Sequence, residues 1–373
     1  MSGKNGAHEG SIYKRGDYWV GAVSLGNAKR KVVYSRTRTE TAEKMKALLG
    51  AQQKGMPISP GRQSVAAYLA KWSEGAQATV RPSTWYRYNS LIRGHLIPRL
   101  GSIALAKLQP ADCAAAFAAM SAKGLAPRTI IQARAVLGRA LREAEIAGLV
   151  ARNAARLTRP PSIEHAEMKT LTAEQTRFLI DSTKDERSGA LYAVALASGA
   201  REGELLALQW ADVDWKRGSI KIRRTLLRMS SALTFAEPKT ASSRRTITLG
   251  PSTMKALKRH QLAQAEERLG NGLGKASDDD VIFSTEVGTP IDAGNFLIRT
   301  HYPLLERLGL PRVRFHDLRH TVATLLLEEG VHPRVVAERL DHATPSLVMN
   351  TYGHATERMQ KDATAAMERV LGA

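Results

Sequence analysis

Two clusters of turn-forming residues divide this chain before any motif is considered. Gly55-Met56-Pro57-Ile58-Ser59-Pro60-Gly61 and Arg159-Pro160-Pro161-Ser162 stop every helical or strand period that reaches them. Pro removes a backbone donor and restricts the residue before it, while Gly and Ser favour turns. The 373 residues therefore read as three pieces, 1–58, 59–160 and 161–373, each with its own pattern.

Net charge follows the same divisions. The pieces carry +7, +11 and +2 of a total of +20. An excess of this size favours a polyanion, because Lys and Arg beside phosphates release condensed counterions. The nearly balanced third piece depends instead on individually placed charges. No apolar run approaches the ~20 residues of a membrane span, and the one cysteine, Cys113, forms neither an internal disulfide nor a zinc cluster.

Residues 1–58 read as three strands, Ser11–Arg15, Tyr18–Val23 and Lys31–Ser35, rich in β-branched and aromatic residues, followed by a helix from Thr39 to Leu49 with Thr41 as its cap. Lys29, Arg30, Lys31, Arg36 and Arg38 flank the third strand and would give a basic sheet face of the kind that enters a nucleic-acid groove; the competing reading is a charged edge that discourages strand pairing. Residues 59–160 read as at least four helices, two of them opened by Pro82 and Pro127. In the last of these, Arg128, Arg139 and Arg142 return to one face while Ile130, Leu137, Leu141 and Ala144 lie away from it. With Arg87 they are candidate phosphate contacts, although a charged helical face is by default only a solvated one.

The third piece is mainly helical, with a strand at Ser219–Ile222 and an expected pairing of Leu233–Phe235 with Arg245–Leu249 that places Lys239 at a hairpin tip. Arg201 follows a small-residue turn and opens an apolar helical run. His316 and Arg319 lie three apart, His342 follows Asp341, and Tyr352 precedes Gly353. In order, these strings resemble the tyrosine recombinase family, the phage-type integrases: an arginine box, a hairpin lysine, a His-x-x-Arg box, a second histidine and a nucleophilic tyrosine. The resemblance is sharpest over residues 168–360. It departs from the family at Asp341, where glycine commonly stands. It implies a multidomain α+β fold: a small three-stranded β-sheet with one helix, an all-α helical bundle, and a mainly helical mixed α/β catalytic domain. The implied domains are arm-type DNA binding (1–58), core-site DNA binding (59–160) and catalysis (161–373), and at the end of the last Met359, Ala363, Met367, Val370 and Leu371 form a stripe at helical spacing that either packs on its own domain or makes a helix that docks onto a neighbouring copy.

The chemistry also follows from the residue types. Tyrosine can store a cleaved phosphate as a diester, but with a pKa of ~10 it needs cationic surroundings and a proton acceptor. Arg201 and Arg319 would hold the nonbridging oxygens and offset charge on the pentacoordinate phosphorus. Lys239 would protonate the leaving 5′ oxygen, His316 would act in acid–base work, His342 would donate to the phosphoryl group, and Glu204 would orient an arginine behind the reacting groups. No cofactor, ATP or metal is required. His316 and His320 have the spacing of a helical zinc pair, but Arg319 between them would repel a cation.

The expected task is site-specific cutting and rejoining of DNA, integrating and excising a phage or mobile element. Expected partners are double-stranded attachment sites, three further copies of the chain in a tetramer on paired sites, a DNA-bending host factor and an excisionase, all in the cytoplasm of a bacterial host. Two alternatives stay open: a type IB-like topoisomerase acting on unpaired sites, and a DNA-binding regulator on a recombinase scaffold.

Overall fold

The computed structural model describes residues 10–24, 30–53, 63–163, 169–229, 232–237, 244–341, 364–365 and 367–372, with the side chains of 51–53 excepted. Lys29, Lys239, His342 and Tyr352 lie outside the described residues, as do Met359 and Ala363. The chain separates into two compact units, Met1–His165 and Ala166–Ala373.

The first unit begins with an antiparallel sheet, β1 (Ser11–Arg15), β2 (Tyr18–Ser24) and β3 (Arg30–Ser35), followed by α1 (Arg38–Gln53). Register places Tyr13, Val20 and Tyr34 in one row on the face away from α1. The two tyrosines are exposed and Val20 between them is buried. Because side chains alternate, Arg30 lies on that outer face and the adjacent Lys31 on the α1 side. The expected cap is corrected: Thr37 Oγ1 accepts from the Glu40 amide at 3.2 Å, whereas Thr41 is buried inside the helix and donates to Thr37 O. The helix starts earlier than Thr39 because a hydroxyl is available at 37 to satisfy the first free amides.

The helical part comprises α2 (Val65–Gln77), α3 (Pro82–Leu91), α4 (Ile97–Leu100), α5 (Pro110–Ala122) and α6 (Pro127–Ile146). Its core is built on Leu69, Leu96, Met120, Leu137 and Leu141. Tyr68 and Trp72 join it with their polar ends partnered: Tyr68 donates to Ala140 O at 2.7 Å and Trp72 to Glu143 at 2.7 Å. The helix expected from Thr84 to Ile97 is interrupted by a π turn at Ile92–Leu96, with Ile97 N–H bonding Ile92 O. Pro98 follows. It lacks the amide that an α-turn needs, and its ring crowds the carbonyl four residues back, so the ladder widens before it. The same arrangement recurs at Leu297–His301 before Pro303.

The second unit contains α7 (Ala173–Thr183), α8 (Gly189–Ser198), α9 (Glu202–Leu205), β4 (Val213–Asp214), β5 (Ser219–Ile222), β6 (Thr225–Met229), β7 (Ala232–Ala236), β8 (Arg245–Thr248), α10 (Pro251–Gly270), α11 (Ala293–Phe296), α12 (Tyr302–Arg307), α13 (Asp317–Glu328) and α14 (Pro333–Leu340). The expected pairing of Leu233–Phe235 with Arg245–Leu249 is corrected. β7 pairs with β6, and β8 pairs with β5 in the sheet β4-β5-β8. The sequence-local partner Thr225–Met229 closes a much shorter loop with β7. Ile247 gains burial by lying opposite Ile220. Tyr192, Phe296, Phe315 and His301 form an aromatic cluster in the core, with Phe296 edge-on to Phe315 at 5.3 Å. Among the described residues, no helix is long and apolar enough to cross a membrane.

Candidate active site

Two helix ends build the site. α8 ends at Gly199 with φ 63°, and α14 ends at Asp341 with φ 53°, the one non-glycine residue with positive φ among the described residues. A left-handed residue turns the chain sharply and leaves the last carbonyls of each helix pointing outward, where the helix dipole favours a cation. Gly199 is required on two counts: a Cβ there would lie 2.4 Å from Leu340 Cδ2, and L residues resist this φ.

The carbonyls are taken by arginines. Arg319, buried in the first turn of α13, donates to Gly199 O at 2.8 Å and to Leu340 O, joining positions 120 and 21 residues away. Arg201 opens α9 and donates through Nη1 to Glu204 Oε1 at 2.8 Å and Asp341 Oδ2 at 2.6 Å, and through Nη2 to Asp341 O at 2.8 Å. Arg339 ties α14 to Ala197 O at 2.6 Å. Thus Arg319 ties the two helix ends together, and Arg201, two residues beyond the end of α8, is bonded to the residue that closes α14.

Glu204 is only 3% exposed and anchors the cluster. It accepts from the Arg201 amide and side chain and from Arg245 Nη2 at 3.0 Å, while Arg245 Nε donates to Arg339 O. Burial alone would raise the Glu204 pKa, but Arg245 and Arg201 overcome it and hold it below the usual carboxylate range. Burial likewise opposes the charge on Arg201, and the bonds to Asp341 and Glu204 reverse that effect. Arg245 therefore belongs to the Glu204 cluster, and Arg244 pairs with Glu237 at 2.8 Å.

His316 immediately precedes α13, its ring edge-on to His320 at 5.6 Å. Burial, then the neighbouring His320 and Arg319, push its pKa down to about 4, so it is neutral at neutral pH. A phosphate would counter the cationic contributions. The acid–base reading from sequence assumed an ordinary imidazole; here His316 is set to accept or donate as a neutral ring. Tyr192 is buried and bonded to His301 at 3.0 Å. A cleft of about 490 Å³ beside the cluster is lined by Lys221, Ile222, Arg223, Arg244, Arg245 and Thr246.

The structure thus gathers Arg201, Glu204, His316 and Arg319 into the second unit. Among the DNA-contact candidates in the first unit, Arg30, Arg128, Arg139 and Arg142 are exposed. Arg87 bonds Gln132 at 3.0 Å, and Arg139 bonds Tyr88 OH at 3.1 Å. Sequence reasoning foresaw neither the bond of Arg245 to Glu204 nor any role for Asp341. The motif departure at 341 was the available signal for the latter.

Residues 162–359, more than half the chain, match the Phage integrase family. The chain belongs to the phage integrase family. It is a tyrosine-type site-specific recombinase, and residues 64–119 match the family's N-terminal SAM-like domain. A tyrosine recombinase described as XerC-like, from Caldanaerobacter subterraneus subsp. tengcongensis, is 26% identical over 382 aligned residues, covering 97% of each chain. The fold of this integrase-family chain resembles that of the Tn1549 transposon integrase solved with circular intermediate DNA: TM-score 0.69, 22% identity, covering 83% of this chain and 99% of that one. It also resembles a lambda integrase dimer bound to a core site: TM-score 0.60, 16% identity, covering 94% and 96%.

Proposed function

We propose that this recombinase cuts and rejoins DNA through a 3′-phosphotyrosine and serves the integration and excision of a phage or other mobile element. The observation that carries the reading is the convergence of Arg201 and Arg319 on two helix ends, with neutral His316 beside Arg319. Tyr352 Oη attacks the scissile phosphorus, the bond to the 5′ oxygen breaks, and that oxygen takes a proton from Lys239. The 5′ hydroxyl of a partner strand then reverses the attack. Arg201 and Arg319 hold the nonbridging oxygens, His316 takes the tyrosine proton, and His342 donates to the phosphoryl group.

In this reading three functional domains divide the work: 1–58 on arm sites, 59–160 on core sites and 161–373 in catalysis. The outer sheet face, with Tyr13, Arg15, Tyr18, Arg30 and Tyr34, is the arm-site surface, and Lys29, Lys31 and Arg36 are further candidate arm-site contacts from the sequence. Arg87, Arg128, Arg139 and Arg142 face core-site phosphates, and within the second unit the cleft with Lys221, Arg223 and Arg244 offers cations of its own to the DNA backbone. Met367, Val370 and Leu371 are exposed on the terminal helical residues, which supports docking onto a neighbouring copy in a tetramer. The relatives solved with DNA support duplex sites as the partner; the host factor and excisionase follow from the integrase role.

The test is a nicked suicide duplex carrying the core site, located by footprinting. Wild type traps a covalent adduct, and Tyr352→Phe and Arg201→Ala trap none. An undiminished adduct in Tyr352→Phe would overturn the reading. Exchange between two sites, rather than relaxation of supercoils alone, separates the recombinase from a topoisomerase.

A further inference from the structure

We infer that Asp341 is an internal stand-in for the scissile phosphate, occupying the arginine that must hold it and thereby slowing cleavage until DNA displaces it. The inference rests on the assignment of Arg201 as a phosphate-holding residue. The two terminal nitrogens of a guanidinium form the end-on fork that grips a pair of phosphate oxygens. In Arg201 that fork is filled by one residue: Asp341 Oδ2 at 2.6 Å from Nη1 and Asp341 O at 2.8 Å from Nη2. The other Nη1 bond goes to Glu204, which is buried and also bonded to the Arg201 amide and to Arg245. Glu204 is thus an anchor that any ligand leaves in place, whereas Asp341 lies where an incoming anion would go.

Backbone geometry supports the same conclusion. Position 341 needs φ 53°, a conformation that glycine adopts freely and other residues resist. A cap alone would be served better by glycine. An aspartate stands here against that preference, and its carboxylate bonds Arg201 at 2.6 Å, shorter than the 2.8 Å bonds to Glu204 Oε1 and Asp341 O. Charge points the same way. Arg201, Arg245, Arg319 and Arg339 bring four positive charges to the two helix ends, and Glu204 and Asp341 offset two of them. Removing the Asp341 carboxylate leaves a more positive site for a phosphate that gains negative charge in the transition state.

The test uses the full chain and the nicked suicide duplex, with protein in excess and DNA saturated, following the first-order rate of adduct formation. Asp341→Asn keeps the shape and the tolerance of left-handed backbone and removes only the charge, so it decides the question. Asp341→Gly removes the side chain while relieving the backbone. Both are expected to form adduct about three- to tenfold faster than wild type, roughly 0.7–1.4 kcal/mol of barrier. An Asp341→Asn rate equal to or below wild type, with Arg201→Ala inactive, overturns the inference and makes Asp341 a positioning residue. A wild-type rate in Arg201→Ala instead overturns the assignment of Arg201 itself.

Discussion

At the scale of single residues, the buried His301 ties the second unit's stability to pH. His301 is fully buried, its Nε2 donating to Val313 O at 3.0 Å and its Nδ1 accepting from Tyr192 OH. Burial pushes its pKa down to about 4 from an ordinary 6.5. Below pH 6.5 the unfolded chain takes up a proton there that the folded chain refuses until about pH 4, so stability is lost as pH falls through that window. At about 1.36 kcal/mol per unit the loss approaches roughly 3 kcal/mol. Urea midpoints should fall from pH 7 to pH 4.5, and fall less steeply in His301→Asn, although that variant starts lower. Parallel slopes in the two proteins would assign the acid sensitivity to other groups. Arg201, His316 and Arg319 could be proposed from the sequence because each stands in a short local string. The lowered pKa of His316 was not legible there, since it arises from burial and from His320 and Arg319 after folding. Nor was the bond from Arg201 to Asp341, which spans 140 residues.

At the scale of elements, the reach of the physical cause decides what could be read. Strands β1, β2 and β5 and the proline-led starts of α3 and α6 are set by neighbours within a few residues, and they fell where the pattern put them. Pairing is different: β8 lies beside β5 because Ile247 and Ile220 are buried together, which no local pattern reveals. The junction of α8 and α14 is non-local as well, and it can be tested. In Gly199→Ala the new Cβ meets Leu340 Cδ2 at 2.4 Å and Val322 Cγ1 at 3.2 Å, on top of a φ of 63°. Backbone strain of about 1–2 kcal/mol and overpacking of about 1–3 kcal/mol add. Gly218→Ala, at φ 60° with its nearest neighbour 3.7 Å away, carries the backbone cost alone. Thermal unfolding should show the larger loss for Gly199→Ala. That variant should also cleave more slowly, because displacing Leu340 moves the carbonyl that holds Arg319. Equal losses in the two variants would mean that the helix ends are not locked together.

At the scale of the whole molecule, charge is used in two ways. Eighteen of the twenty excess positive charges precede residue 161, in the segments proposed to hold DNA. In the second unit, by contrast, individual cations are matched by carboxylates and carbonyls, as Arg201 and Arg245 are by Glu204. Exposed cations that neutralise phosphates set the salt dependence of binding, with a slope change of about 0.9 per contact. Anchored cations set the rate of chemistry. Arg128 and Arg142 are the clean probes of the first kind. Arg139 also lies 5.9 Å over the Tyr88 ring, so its replacement disturbs packing as well. The double variant Arg128→Gln, Arg142→Gln should bind more weakly, with its log–log salt slope reduced by about 1.8. Once saturated at low salt, it should form adduct at the wild-type rate. Arg201→Ala should lose no more than about one unit of slope while forming no adduct. The comparison is informative because affinity and rate are read on the same duplex. If the double variant cleaved slowly even when saturated, the helical face would be positioning the scissile phosphate as well as holding the backbone, and the division of labour by charge would fail.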